Sequence, residues 1–159
     1  MHAGAQDRGA AAQELAVHKH ERVLEIGAGS GYAAALLAHK AQHVTTLEID
    51  PKLAAFAAAN LKRAGAANVS VVTADGAQPL SGDGPFDVIL LSGSVAEVPE
   101  TLLQQLKPGG RLAAIVGEEP VMRAVLIRRS ADRSVTRSVL FDTVAQRLRG
   151  FKEPTRFHF

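Results

Sequence analysis

Three carboxylates and a run of glycines are the residues of this chain whose types and spacing could do chemistry. The run reads Glu25-Ile26-Gly27-Ala28-Gly29-Ser30-Gly31-Tyr32; Glu48 lies 17 residues beyond Gly31, and a third acid stands in Ala74-Asp75-Gly76. Glycines at alternate positions permit a tight strand-to-helix turn and let the backbone approach a ligand closely. A helix starting behind them offers free amide donors. A dinucleotide fingerprint needs Gly-x-Gly-x-x-Gly, but its last place falls on Tyr32. A Walker loop needs Gly-Lys-Ser/Thr, and this loop holds no lysine. A hydrolase elbow needs Gly-x-Ser-x-Gly, and Ser30 stands at the wrong step. What remains is acidic-x-Gly-x-Gly-x-Gly, the pattern of S-adenosylmethionine sites.

Each acid falls at the end of an expected strand. Glu48, with Ile49 beside it, can accept both ribose hydroxyls, as an acid does in nucleotide sites. Asp75, followed by Gly76, could accept the adenine amino group. Glu25 can orient the loop and attract a cation directly or through water. Ser92 stands at the cleft edge after the fourth strand, where it could meet methionine or substrate or simply form a turn of small residues. The same acids also have plain structural uses as strand ends, turn formers or acceptors of loop amides. Three carboxylates suit a ligand bearing an ammonium and a sulfonium and suit a pyrophosphate badly, which separates the methyl donor from NAD without counting glycines. The candidate cofactor-binding set is therefore Glu25, Gly27, Gly29, Ser30, Gly31, Tyr32, Glu48, Ile49, Asp75, Gly76 and Ser92. No catalytic side chain is assigned.

The elements that must position these residues read as follows. Asp7 to Val17 suits a short helix with Leu15 and Val17 buried, and His18 to Glu21 is a polar break. Arg22 to Ile26, His43 to Ile49, Val69 to Thr73, Phe86 to Leu91 and Arg111 to Val116 read as strands. Helices are expected over Tyr32 to Lys40, from Pro51 to Arg63 with Asp50 as N-cap, and over Pro99 to Leu106. Gly65 suits a helix stop. Val121 to Arg129 and Ser134 to Val144 read as a hairpin around a polar turn. Strands alternating with helices make a parallel sheet with right-handed crossovers. The expected fold is a Rossmann-like α/β three-layer sandwich, mostly parallel, with a C-terminal antiparallel hairpin, forming one domain over residues 1–159.

Composition narrows the function classes. At 159 residues with 47% hydrophobic and 21% charged residues, the chain suits a folded globular domain. Zero cysteines exclude a disulfide framework, a thiolate zinc site and a cysteine nucleophile. His18 and His20, and His39 and His43, lack the partners of a metal motif, so no metal is expected. Aromatic residues make up 4% with no tryptophan, which disfavours a base-stacking surface. No apolar run approaches the roughly 18 residues of a membrane helix, and Met1 to Ala12 lacks a signal-peptide core; a cytoplasmic location is expected. Residues 1–119 hold 9 Lys and Arg against 13 Asp and Glu, whereas residues 120–159 hold 9 against 3. That basic tail reads as a solvated face rather than a nucleic-acid site.

With these residues in place, the chain resembles the protein-L-isoaspartate O-methyltransferase family of class I methyltransferases. The likeness is carried by Val23 to Tyr32, Asn68-Val69, Asp75-Gly76, Pro85 to Ile89, Val98-Pro99 and Gln105 to Leu112. It implies methyl transfer from S-adenosyl-L-methionine to isoaspartyl carboxylates of damaged proteins, with S-adenosyl-L-homocysteine as product. It also implies a longer N-terminal helical segment with an Ile-Ser-x-Pro-like loop near the substrate. Only 22 residues precede Val23, and no Ser or Thr occurs before Ser30. The expectation is an intact donor half without its substrate lid, and activity reduced unless that segment is supplied. Arg147-Leu148-Arg149 stands where many relatives carry a Pro-Leu-Thr-like run. Alternatives are a class I methyltransferase of another small molecule or RNA, and a non-catalytic donor-binding module free to self-associate. Leu91-Ser92-Gly93-Ser94 lacks the Asn/Asp-Pro-Pro-Tyr/Phe run of amino-methylating nucleic-acid enzymes.

Overall fold

Val23-Leu24-Glu25-Ile26 and Val88-Ile89-Leu90-Leu91 carry no apolar–polar alternation, the mark of strands covered on both faces. The structure, a computed structural model, describes residues 15–78 and 84–153. Its elements are β1 (Arg22–Ile26), α1 (Tyr32–Ala38), β2 (His43–Glu48), α2 (Pro51–Arg63), β3 (Val69–Thr73), β4 (Phe86–Val95), α3 (Glu100–Leu103), β5 (Leu106–Glu118), β6 (Val121–Arg129) and β7 (Val135–Thr143). The seven strands make one sheet in the order β3-β2-β1-β4-β5-β6-β7. Pairing is parallel from β3 to β5 and antiparallel for β5–β6 and β6–β7. The chain runs outward from β1 to β3 and then returns beside β1 as β4. The switch point therefore lies between β1 and β4, where ligands of open α/β sheets bind.

The two-residue period of the strands sorts side chains into two layers. Leu24, Ile26, Leu47, Ile89 and Leu91 join α3 and Phe151 in one cluster. Val23, Val44, Val88 and Leu90 face the other way, onto Ala33, Ala34 and Leu37 of α1 and Leu61 of α2. α2 begins as the sequence dictates: Asp50 is the N-cap, its carboxylate accepts from the Lys52 amide at 2.9 Å, and Pro51 takes the first helical place. It ends at Arg63 with Ala64 as C-cap, and Gly65 follows with a φ of +73 that suits a residue without a Cβ.

A buried ion pair fastens the start of the described chain to β5. Glu21 and Arg111 are each 7% exposed. Arg111 Nη1 donates to Glu21 Oε2 at 2.7 Å and Nη2 to Oε1 at 2.8 Å, while Nε and Nη2 donate to the Leu15 and Ala16 carbonyls. The Arg111 guanidinium, aided by the His18 amide, outweighs burial and holds the Glu21 carboxyl at about 2, against an ordinary 4.5.

Several expected boundaries shift. The helix expected from Asp7 to Val17 falls mostly outside the described residues; Leu15 and Ala16 form a turn, and Leu15 and Val17 are buried as expected. β4 does not stop at Leu91 but continues through Ser92-Gly93-Ser94 to Val95. α3 covers Glu100–Leu103 rather than Pro99 to Leu106, and β5 starts at Leu106. β6 spans Val121–Arg129 as read, and β7 falls one residue short of expectation at each end.

Candidate active site

The carboxyl ends of β1, β2 and β4 open into a cleft of about 140 Å³. Gly27 and Gly29 form its floor, and Glu48 and Ile49 stand at its β2 side. Ser92 and Gly93 bound it on the β4 side, and Gly76 on the β3 side. Gly27 leaves β1 with its amide donated to the Leu47 carbonyl at 2.8 Å and its φ at +91. Gly76 packs so tightly on β1 that a Cβ there would lie 2.3 Å from Ile26 Cγ2. A larger residue there would have to displace Ile26 or the loop after β3.

Glu48 is 7% exposed, yet its carboxylate makes only long bonds, from the Gly29 amide at 3.4 Å and the Asp50 amide at 3.2 Å. A carboxylate has about four acceptor positions, so Glu48 keeps capacity for a ligand's hydroxyls. Glu25 is different. It is fully buried, pairs in register with Thr46 of β2, and accepts from Thr46 Oγ1 at 2.6 Å and from Ser92 Oγ. Glu25, Thr46 and Ser92 thus link three adjacent strands beneath the glycine loop.

A C-terminal strap crosses the mouth. Ser94 donates its amide to the Gln146 carbonyl at 2.8 Å and accepts from the Leu148 amide at 2.7 Å, pinning the strap to β4. Leu148 lies over Gly27 and Gly93, and Gly150 lies against the Asp75 carboxylate. Arg147 turns inward, donating to the Gly117 carbonyl at 2.9 Å and pairing with Glu153 at 3.0 Å. Arg149 reaches the opposite wall, where Nη1 stands 3.6 Å from Asp50 Oδ2. Among the described residues, no three His, Asp or Glu side chains gather to hold a metal ion, and no helix is long and apolar enough to cross a membrane.

The family model described as protein-L-isoaspartate(D-aspartate) O-methyltransferase matches residues 5–147. The chain belongs to this family. A protein-L-isoaspartate O-methyltransferase of Methanoculleus marisnigri is 46% identical over 105 residues, which are 66% of this chain and 48% of that one. A solved protein-L-isoaspartate O-methyltransferase superposes with a TM-score of 0.80 at 31% identity, covering 90% of this chain and 46% of that one. A Plasmodium falciparum structure described under the same activity, in complex with S-adenosyl-L-homocysteine, gives a TM-score of 0.78 at 23% identity and covers 90% and 73%. This family member spans about half the length of the curated relatives it matches.

Of the sequence-derived set, Gly27, Gly29, Glu48, Ile49, Gly76 and Ser92 line the cleft. Glu25, Ser30, Gly31, Tyr32 and Asp75 do not. Ser30 is exposed and its carbonyl accepts from Asn60 of α2 at 2.9 Å. Gly31 is packed on Leu61, and Tyr32 opens α1 with 43% of its surface exposed. Asp75 accepts from its own turn at the Ala77 amide, 2.9 Å away, and its neighbours Ala74 and Gly76 face the cleft. Sequence reasoning missed the strap and Leu53 of α2, which also line the cleft. The departure at Arg147-Leu148-Arg149 was the only signal of the strap.

Proposed function

We propose that the chain is a cytoplasmic S-adenosylmethionine-dependent carboxyl methyltransferase acting on isoaspartyl residues of damaged proteins. The observation carrying this reading is Glu48, a buried carboxylate with spare acceptor capacity at the rim of a glycine-floored cleft at the switch point. Membership of the family supports both donor and acceptor. The residues fit the donor. Glu48 would accept from the ribose hydroxyls, and Gly27 and Gly29 would let the backbone approach the methionine portion. Ile26, Leu47 and Leu53 offer an apolar wall for the purine. Asp75 would take the adenine amino group once Gly150 gives way.

The bound donor supplies an electrophilic methyl on a sulfonium centre. Transfer forms a carbon–oxygen bond to the acceptor and breaks the carbon–sulfur bond, leaving the neutral thioether as product. An unperturbed carboxylate has a pKa of about 4, so the acceptor arrives ionised and no side chain need remove a proton. The chain's own part is alignment and exclusion of water. Leu148 and the apolar floor supply the exclusion.

Transfer of labelled methyl to an isoaspartyl peptide tests this reading, with the same peptide carrying an ordinary aspartyl linkage alongside. Base-labile methyl ester is expected on the isoaspartyl peptide alone. Equal labelling of both peptides, or of neither while donor binding is intact, would remove the isoaspartyl assignment.

A further inference from the structure

We infer that Arg149 is the residue that receives the acceptor's carboxylate, an inference that rests on the proposed methyl-transfer reading. The strap divides its duties by residue. Leu148 covers Gly27 and Gly150 covers Asp75. Arg149 stands between them in the strap and reaches toward Asp50 at the N-terminus of α2. Its side chain is 69% exposed and lines the cleft. Arg147 is more firmly held, with Nη1 donating to the Gly117 carbonyl and Nε paired with Glu153.

Arg149 is held only loosely. Its contact with Asp50 is 3.6 Å long, and the Asp50 carboxylate is already used to cap α2 through the Lys52 amide. An exposed ion pair of that kind contributes little. A guanidinium offers a planar fork that matches a carboxylate with two parallel hydrogen bonds. An incoming carboxylate therefore exchanges for Asp50 and gains better geometry than Asp50 has. Glu48, Asp50 and Asp75 around the cleft offset the positive charge that Arg149 would otherwise add beside a sulfonium.

The test uses two peptides that differ only at the isoaspartyl residue, one with a free α-carboxylate and one with that group as an amide. Their affinities are read by fluorescence anisotropy on the intact chain saturated with S-adenosyl-L-homocysteine. The unaltered protein is expected to prefer the carboxylate by at least about tenfold, the range of a charge-assisted bidentate contact. Arg149→Gln should shrink the preference to within about twofold, Arg149→Lys should retain part of it, and Arg137→Gln on the exposed hairpin should retain all of it. A full preference in Arg149→Gln overturns the inference. So does an unaltered chain that binds neither peptide or both equally. Calorimetry of the unaltered chain with S-adenosyl-L-homocysteine keeps the two levels apart: failure to bind it would strike the donor reading itself, whereas binding without a carboxylate preference overturns the inference alone.

Discussion

A Cβ built on Gly27 would come within 2.7 Å of Leu148 Cδ2, so the floor of the cleft and its cover are in direct contact. Gly27 also has a φ of +91, where side-chain-bearing residues are strained. Gly27→Ala combines both costs. It is expected to lower the unfolding free energy by about 2 to 4 kcal/mol, read from urea denaturation. Adding Leu148→Ala removes the collision but not the strained φ, so the double variant should regain part of the loss. A Gly27→Ala protein as stable as its parent would contradict this packing.

Glu25 is expected to act as a tie between strands rather than as a ligand group. Replacing it by alanine strands the buried Thr46 hydroxyl and removes the acceptor of the Ser92 hydroxyl at the edge of the cleft. The cost should be about 1 to 3 kcal/mol, the range for one buried group left unsatisfied, with a matching drop in the urea midpoint. A loss below about 1 kcal/mol would mean that the hydroxyls find other partners.

How much of this was legible in the chain depends on the range of the interactions. Asp50-Pro51 could be read as cap and first helical residue because both act within one turn. The bounds of β6 followed from the run Val121 to Arg129 and the polar turn after it. Ser92-Gly93-Ser94 could be read either as a cleft edge or as a turn of small residues; it stays extended because the strap supplies hydrogen bonds to Ser94 on that side. The fate of Glu25 needed the strand order. Its two-residue period places it on the α1 face with Val23, but only the pairing of β1 with β2 and β4 brings Thr46 and Ser92 to its oxygens. The strap has no period and makes its contacts with residues far away in the chain, so the departure at Arg147-Leu148-Arg149 was its only trace.

The Glu21–Arg111 pair carries a pH dependence of definite sign. The carboxyl titrates at about 2 in the folded chain against 4.5 when unperturbed. A depressed folded pKa stabilises above the unfolded value and loses that contribution as pH falls toward the folded one. The contribution at neutral pH is on the order of 3 kcal/mol. Glu21→Gln should therefore be less stable at pH 7, and the gap should narrow between pH 4.5 and pH 2. Urea midpoints across that range would show it. A gap independent of pH would mean that the pair does not govern acid stability.

The most direct test is a calorimetric titration of the unaltered chain with S-adenosyl-L-methionine and S-adenosyl-L-homocysteine, beside NAD and beside the Glu48→Ala variant. Saturable binding of both sulfur nucleosides is expected, at least about tenfold weaker in Glu48→Ala for want of the charged acceptor, with NAD giving no heat above dilution. No binding of either sulfur nucleoside at millimolar concentration, or a preference for NAD, would contradict the account.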